Sequence, residues 1–233
     1  MDFFDPFGAF DSTFSMFIGL FGLIFIIGGY FVLKHAKREE EALYKVERLP
    51  PLQLEDAVDG IALKTYGKIV CDSPLKTPYA AENAVWSRSL EEEYVETTDS
   101  KGRKSGHWRT VADMVNTAPF QIDDGTGKIW VDLRKANREF VDAERIFSWS
   151  GFHRRKSEWA LKPGYAFVYG FAQQQVEKLT IMKSEREQLI ASFREEKEML
   201  KFKRSDDKLF LGFGYLLMII GVIAEYFAVK AFF

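Results

Sequence analysis

Cysteine is almost absent from this sequence: Cys71 is the only one among 233 residues, and histidine occurs three times. A single thiol excludes an intrachain disulfide and every zinc site that needs two or more thiolates. The histidines, His35, His107 and His153, lie far apart and lack the spacing of a metal site on one helical face. We therefore expect no catalytic residues, no metal and no cofactor.

An excess of charge of either sign is also lacking. Lysine and arginine number 32 against 34 aspartates and glutamates, which gives a formal net charge of -2. A chain with this balance has no global field that attracts nucleic acid, so nucleic acid is disfavoured as a partner. An electrostatic partner would have to be recognised by local patches of charge.

Two long apolar runs set the class of the protein. Residues 12–33 carry no charge, and residues 209–229 contain a single acid, Glu225, near the far end. Helices of this length cross a bilayer core of about 30 Å. The first eleven residues form a short acidic tail, which argues against a cleaved signal peptide with its basic start. The sequence predicts an integral membrane protein with two transmembrane helices.

Basic residues flank both runs on the side of the central segment, and positive residues mark the cytoplasmic side of a membrane. In a bacterial-type plasma membrane, the central segment should then be cytoplasmic and both termini outside. The flanking bases are Lys34, Lys37, Arg38, Lys201, Lys203, Arg204 and Lys208.

The central segment is predicted to form a β domain between two helical stalks. Residues 34–49 favour a stalk that continues the first span and ends at a proline pair. Short β-rich runs over residues 55–175 indicate a small antiparallel barrel or sandwich, with a barrel of the oligonucleotide-binding (OB) type as one option. Ser184 and Glu187 make a capping box, which predicts an amphipathic helix over 184–204. This helix reads as a stalk, with a coiled-coil arm as the rival interpretation.

A run of acids, glycines and a threonine lies between two strand-like stretches and admits two interpretations. A phosphate-binding loop would lead into a helix, and a calcium loop would need more oxygen ligands than this run offers. A tight hairpin turn needs glycines where φ is positive, and a strand follows here. We therefore predict a hairpin turn. The run comprises Asp123, Asp124, Gly125, Thr126 and Gly127.

Two basic clusters, each flanked by aromatic residues, are the candidate contact residues for lipid or for a partner. They could rest on anionic headgroups, although solvated loops have the same composition. The acidic run from Glu91 to Glu93 has two interpretations: it is a solvated strand end, or it forms an acidic rim that binds a basic peptide. The clusters comprise Lys101, Arg103, Lys104 and Arg109, and Arg154, Arg155 and Lys156.

The order of motifs between the two spans resembles the GIDE family over residues 59–224. The resemblance rests on a strand before Ser-Pro-Leu, on AVWSRSLEEEY, on PFQIDDGTGKIWVD and on PGYAFVYGFA. The motif residues to which it assigns a structural role are Ser73, Pro74, Leu75, Trp86, the turn from Asp123 to Gly127, Gly164 and Tyr169.

The resemblance implies a domain beside a membrane, between two transmembrane helices. The ubiquitin ligases of the family carry a RING domain that binds two zinc ions, and one cysteine and three histidines cannot build it. We expect a short, prokaryotic-type member without ligase activity. Its β domain would bind another membrane-associated protein, as a scaffold or adaptor in membrane organisation or a stress response. An anionic-lipid sensor, an enzyme with an unrecognised site and a homo-oligomer stay open as alternatives.

Overall fold

The computed structural model of the protein describes residues 12–230, and the predicted acidic tail over residues 1–11 lies outside them. The chain divides into two compact units. One comprises residues 1–45 and 200–233, and the other comprises residues 46–199. We describe them in turn as the helical unit and the barrel unit.

Two long helices contain the predicted spans. α1 runs over Ser12–Arg48 and α2 over Glu196–Lys230, and both are long and apolar enough to cross a membrane. The predicted stalk over residues 34–49 is helical up to Arg48. The helix predicted over residues 184–204 is wrong in its first half, because α2 begins at Glu196. The Ser184 hydroxyl accepts from the Glu187 amide (2.9 Å), but this bond closes a turn and does not cap a helix.

Glycines let the two helices of the helical unit pack closely against each other. A Cβ atom on Gly22 would lie 2.9 Å from the carbonyl oxygen of Gly221, and one on Gly29 would lie 2.8 Å from that of Gly214. Gly19 meets Ala228 at 3.5 Å in the same way. Gly22 and Gly29 on one helix and Gly214 and Gly221 on the other are each seven residues apart, two helical turns, and they lie along one antiparallel helix contact.

The barrel unit is built from strands, and three single-turn 3-10 helices interrupt it. The strands within the described residues are Ala62–Val70 (β1), Leu75–Lys76 (β2), Asn83–Ala84 (β3), Trp86–Thr98 (β4), Lys104–Thr117 (β5), Phe120–Asp123 (β6), Lys128–Val131 (β7), Val141–Asp142 (β8), Glu144–Ser150 (β9), Arg154–Leu161 (β10), Tyr165–Gln175 (β11), Lys178–Met182 (β12) and Ile190–Ser192 (β13). The 3-10 helices are Leu54–Asp56, Leu133–Lys135 and Arg138–Phe140.

Five of these strands form a closed barrel. Their order is β1-β6-β7-β12-β11, and β11 returns to pair with β1 from Ala62↔Phe171 to Lys68↔Tyr165. The predicted small barrel is therefore confirmed, although β7 and β12 pair in parallel and the barrel is not wholly antiparallel. The β domain also extends past residue 175, the predicted end. β12 is a strand of the closed barrel, and β13 pairs with residues 167–169 of β11.

The barrel interior is filled by the inward-facing side chains of the five strands. On β7, Ile129 and Val131 are buried while Lys128 is exposed, as the alternation in the sequence predicts. β11 departs from simple alternation, because residues 166–170 are buried on both faces. Ala166, Val168 and Ala172 join the core cluster, and Phe167 and Tyr169 on the other face are buried as well, whereas Tyr165 at the start of the strand is exposed. The core includes Leu63, Ile69, Ile122, Ile129, Val131, Ala166, Val168, Ala172, Ile181 and Leu189.

Gly67 permits the sharp approach of β6 to β1. A Cβ atom at this position would lie 2.4 Å from the carbonyl oxygen of Asp123, a distance that no side chain tolerates. The Tyr-Gly-Lys sequence therefore has a packing role at the start of the β1–β6 pairing.

A buried lysine ties both helix ends to the barrel wall. The Lys64 ammonium on β1 donates to the carbonyl of Val46 (3.0 Å) and to the carboxylate of Glu196 (2.5 Å). The side chain of Lys64 is 6% exposed. Val46 lies in the last turn of α1, where carbonyls lack helical partners, and Glu196 lies in the first turn of α2. One ammonium therefore stabilises the end of one helix and the start of the next.

Replacing Lys64 by methionine should destabilise the barrel unit. The variant leaves the Val46 carbonyl and the Glu196 carboxylate without their donor, and we expect a loss of about 2 kcal/mol in the free energy of unfolding. Urea unfolding of the detergent-solubilised chain, followed by tryptophan fluorescence, measures it. Lys68→Met, at an exposed position of the same strand, is the control. Equal stability of both variants would show that the buried ion pair contributes nothing.

Candidate interaction surface

Two insertions into the barrel meet in a second sheet. β4 and β5 lie in the chain between β1 and β6, and β9 and β10 lie between β7 and β11. They pair in the order β5-β4-β10-β9. Because β4 and β10 are central, their register decides which side chains of the two insertions come together.

The register places the acidic run of β4 opposite the predicted basic residues. Glu91 lies across from Lys156, Glu92 from Arg155, and Glu93 from both Arg154 and Arg109. Ion pairs form along this row. They are Glu92–Arg155 (2.5 Å), Glu91–Arg154 (3.4 Å), Glu91–Lys156 (3.6 Å) and a short Glu93–Arg109 contact. The acidic run is neither a free strand end nor an open rim, since it neutralises the bases beside it.

The Glu92–Arg155 pair shows the electrostatic effect most clearly. The guanidinium donates two hydrogen bonds to the carboxylate and holds the pKa of Glu92 below its ordinary value. The four predicted contact residues Arg109, Arg154, Arg155 and Lys156 therefore present much less free charge than the sequence suggests.

The other predicted bases lie at the hairpin between β4 and β5. Arg103 donates to the Asp99 carboxylate (2.8 Å), which also accepts from the Arg103 and Lys101 amides. These hydrogen bonds, the Arg103 amide first, lower the pKa of Asp99. Lys101 and Lys104 are exposed and make no ion pair within residues 12–230. They are the predicted bases whose charge is available to a partner.

One face of the sheet carries tryptophan against arginine. Trp159 on β10 lies opposite Arg88 on β4 and Arg145 on β9. The two guanidinium carbons lie 5.6 Å and 5.5 Å from the centroid of its ring, within the range of cation–π attraction. We call this side of the sheet, with the residues that follow, the Trp159 face.

Asp113 fixes the arginine on one side of Trp159. The Arg88 guanidinium donates two hydrogen bonds to its carboxylate (2.9 and 3.1 Å), and Arg138 makes a further short contact. Arg88 is the main cause that lowers the pKa of Asp113. Arg145 differs, because it donates to the Ser157 hydroxyl (2.7 Å) and makes no ion pair within the described residues.

Aromatic residues continue the Trp159 face toward the end of the sheet. The Arg155 guanidinium lies 4.6 Å from the ring centroid of Trp108, and Tyr94 packs beside that ring at 5.4 Å. Trp108, Tyr94 and Trp159 are all partly exposed. Tryptophan, tyrosine and arginine are the residue types that contribute most to protein–protein interfaces.

The opposite face is covered in part by the segment that contains β2 and β3. Glu158 on β10 is fully buried there, and its carboxylate accepts from the Ser89 hydroxyl (2.7 Å) and the amides of Tyr79 (3.1 Å) and Ala80 (2.9 Å). A buried carboxylate with three donors holds this segment on the sheet. Trp159, on the first face, is partly exposed and also packs against the barrel core.

The residues of the predicted hairpin turn have structural roles. β6 and β7 pair on either side of it, and Gly125 has a φ of +90°, so the hairpin prediction is confirmed. The Asp124 carboxylate accepts from the amides of Leu54 (2.9 Å), Thr126 (2.9 Å) and Gly127 (3.1 Å) and from the Thr126 hydroxyl (2.7 Å). The turn therefore holds the chain that enters the barrel.

The remaining motif residues are also distributed through the fold and form no common site. Trp86 and Tyr169 are buried, and the Tyr169 hydroxyl makes a short hydrogen bond to Glu187. Burial raises the pKa of Tyr169 far above its ordinary value. The Gly164 carbonyl accepts from the Ile69 amide (2.7 Å) at the barrel rim. Ser73 and Pro74 lie in the loop before β2, which begins at Leu75.

Residue patterns alone did not single out the Trp159 face. Arg88, Asp113, Arg145 and Trp159 come from four different strands and from two insertions, so no local motif contains them. The local indication that was available is Trp159, the first apolar side chain after five polar residues of β10.

The architecture defines a class of protein: a β-barrel unit between two helices that are apolar enough to cross a membrane. A family model described as "GIDE: E3 Ubiquitin ligase" matches residues 91–226, more than half of the chain. The protein therefore belongs to the GIDE family, which is membrane-associated. No curated protein and no solved structure matches the chain.

The Asp113 ion pair predicts a dependence of stability on acid pH. Its pKa is lowered in the folded state, so its contribution is complete above the unfolded value of about 3.9 and is lost as pH falls through the folded value. The thermal midpoint of the native chain should fall between pH 5 and pH 2 more steeply than that of Arg88→Met. Circular dichroism melts at each pH measure this, and parallel curves would contradict it.

Proposed function

We propose that the protein is a non-catalytic adaptor of a membrane, in which the Trp159 face binds a partner protein. The observation that carries the proposal is a partly exposed Trp159 that lies between two arginines. The central strands β4 and β10 pair over eight consecutive positions from Arg154↔Glu93 to Leu161↔Trp86. Side chains on paired strands bind at a lower entropy cost than side chains on loops that must first be ordered.

The charges of the face favour an acidic partner. Asp113 is shared by Arg88 and Arg138, and Glu92 pairs with Arg155, which leaves Arg145 without a carboxylate. A carboxylate of a partner could complete the site beside Trp159 as a charge-assisted hydrogen bond. The unpaired guanidinium is already held in place by the ring and by Ser157, so little freedom is lost on binding.

The adaptor role is consistent with the small number of zinc ligands in the sequence. The printed family description is that of an E3 ubiquitin ligase, and the zinc-bound RING of such ligases needs several cysteines and histidines. The sequence has one cysteine and three histidines. We therefore propose that this chain shares the membrane-side domain with its family and acts through binding.

Replacing Arg145 by alanine should weaken capture of the partner. We expect about a tenfold lower yield after mild crosslinking in native membranes and purification, because the change removes the unpaired charge and one wall of the Trp159 site. Arg134→Ala, at an exposed arginine outside the sheet, is the matched control. Quantitative mass spectrometry of the purified material measures the yield.

A protein recovered equally with both variants and the native chain does not bind through the Trp159 face. A protein lost only with Arg145→Ala supports the proposal and identifies the partner. Recovery with Arg145→Lys at an intermediate level would separate the charge from the planar stacking of the guanidinium.

An anionic lipid surface is the second candidate, favoured by the far end of the same sheet. Phe152, in the turn between β9 and β10, is 89% exposed, and Lys101 and Lys104 are the bases without an ion pair in the described chain. Exposed aromatics beside lysines are typical of contacts with headgroups.

Charge reversal at the two free lysines tests the lipid candidate. Lys101→Glu with Lys104→Glu should reduce tethering of added phosphatidylglycerol vesicles to the chain in nanodiscs, by about 1 kcal/mol for each lysine. Reversal at Arg154 and Lys156 should have a smaller effect, because both pair with Glu91. Vesicle co-flotation measures tethering. Equal flotation of the doubly reversed and native chains would contradict the lipid candidate.

We also propose that the barrel is of the OB type. Counted along the chain, β1, β6, β7, β11 and β12 are its strands one to five, and the ring follows the order 1-2-3-5-4. This order, with strands three and five parallel, is the Greek-key connection of that type of barrel. The chain places its four-stranded sheet in the two long connections, after strand one and after strand three.

A further inference from the structure

A groove of about 530 Å³ lies on the barrel, away from the centre of the Trp159 face. It is formed by the end of β5, by β7 and the segment after it, and by the turn between β11 and β12. A volume of this size holds a small organic ligand. Most of its lining is apolar. The lining includes Pro119, Trp130, Asp132, Arg134, Val176, Glu177 and Lys178.

A tryptophan with a lysine ammonium over its ring lines the groove. Trp130 on β7 is partly exposed, and the Lys178 ammonium lies 4.1 Å from the centroid of its ring. Lys178 makes no ion pair in the described part of the chain. An ammonium that lies over an indole ring and makes no ion pair can pair with an anion. Glu177, the residue before Lys178, also lines the groove.

A second cation lies on the rim and is oriented by an acid. The Arg134 guanidinium donates to both Asp132 carboxylate oxygens (2.9 and 2.7 Å), and these bonds are the main cause that lowers the pKa of Asp132. The side chain of Arg134 is 74% exposed, so its outer N–H groups remain accessible. The groove thus has one ammonium that makes no ion pair and one oriented guanidinium, with Asp132 and Glu177 as the acids of its lining.

Val176 provides an independent indication of function at the same groove. It lies in the turn between β11 and β12, has a φ of +50° and is 99% exposed. A β-branched residue disfavours this left-handed conformation, and an apolar side chain gains nothing from full exposure. Strain of this kind concentrates at binding sites, where the side chain has a use that stability does not explain.

We propose that this groove binds a small organic anion with a flat apolar body. The carboxylate, sulfonate or phosphate of the ligand would pair with Lys178 and reach Arg134. Its apolar body would lie against Trp130, Pro119 and Val176. The groove lies beside barrel strand three and the turn between strands four and five, which is where barrels of the OB type bind ligands. The site is separate from the partner-binding role proposed for the sheet.

The test uses two water-soluble probes that differ in charge. Isothermal titration calorimetry of the detergent-solubilised full chain would compare 2-naphthoate with uncharged 2-naphthalenemethanol, each against a detergent blank. We expect saturable one-to-one binding of 2-naphthoate and weaker binding of the alcohol. No saturable binding of 2-naphthoate at millimolar concentration would overturn the proposal.

Variants then assign the binding to the groove. Lys178→Gln should weaken 2-naphthoate about fivefold and leave the alcohol unchanged, because it removes only the charge. Val176→Gly should weaken both probes, since it removes an apolar contact at a position where glycine is well tolerated. Lys156→Gln is the matched control, because Lys156 lies on the four-stranded sheet and its ammonium is also held over an aromatic ring, 5.0 Å from the ring centroid of Tyr79.

The pattern across variants distinguishes the groove from general affinity for anions. Equal weakening of 2-naphthoate by Lys178→Gln and Lys156→Gln would overturn the assignment, and so would loss of the alcohol with Lys178→Gln. Melting curves show whether each variant is folded. Arg145→Ala should bind both probes as the native chain does, so a failure of the partner proposal and a failure of this site give different results.

Discussion

The barrel unit depends on strand β1, because this strand makes three structural contacts at once. It closes the barrel by pairing with β11, it receives β6 at a point where only glycine fits, and its Lys64 binds both helix ends. These demands explain its composition. The Lys64 side chain faces a carbonyl and a carboxylate, while Gly67 has no room for a side chain. A buried ammonium is tolerated on this strand only because both of its partners arrive together.

The four-stranded sheet is built from the two insertions into the barrel. One insertion contributes the hairpin β4–β5 and the other the hairpin β9–β10, and the two hairpins pair through β4 and β10. The charge row between β4 and β10 matches the two hairpins in register, since a shift by one residue would move each acid to the opposite face. The same register brings Arg88 and Arg145 to either side of Trp159. One register therefore sets both the ion pairs of the sheet and the composition of the Trp159 face.

Local patterns in the sequence were sufficient for the helices, for the β7 strand and for the hairpin turn at Gly125, because each depends on residues close together in the chain. They failed where distant segments compete. Ser184 and Glu187 have the spacing of a helix start, but residues 190–192 pair with β11, and this contact prevents the helix. The basic clusters looked free because their acids are remote or on a neighbouring strand. The Trp159 face and the Trp130 groove combine residues from several strands, which no single stretch reveals.

The placement of the tryptophans has a spectroscopic consequence. Trp108, Trp159 and Trp130 each lie within 6 Å of a cationic group, and all three are partly exposed, whereas Trp86 is buried in the core. The emission of an indole depends on nearby charge and on water. A molecule that covers one of these rings or draws its cation away changes both, so the protein carries its own optical reporters at the two surfaces where its chemistry is concentrated.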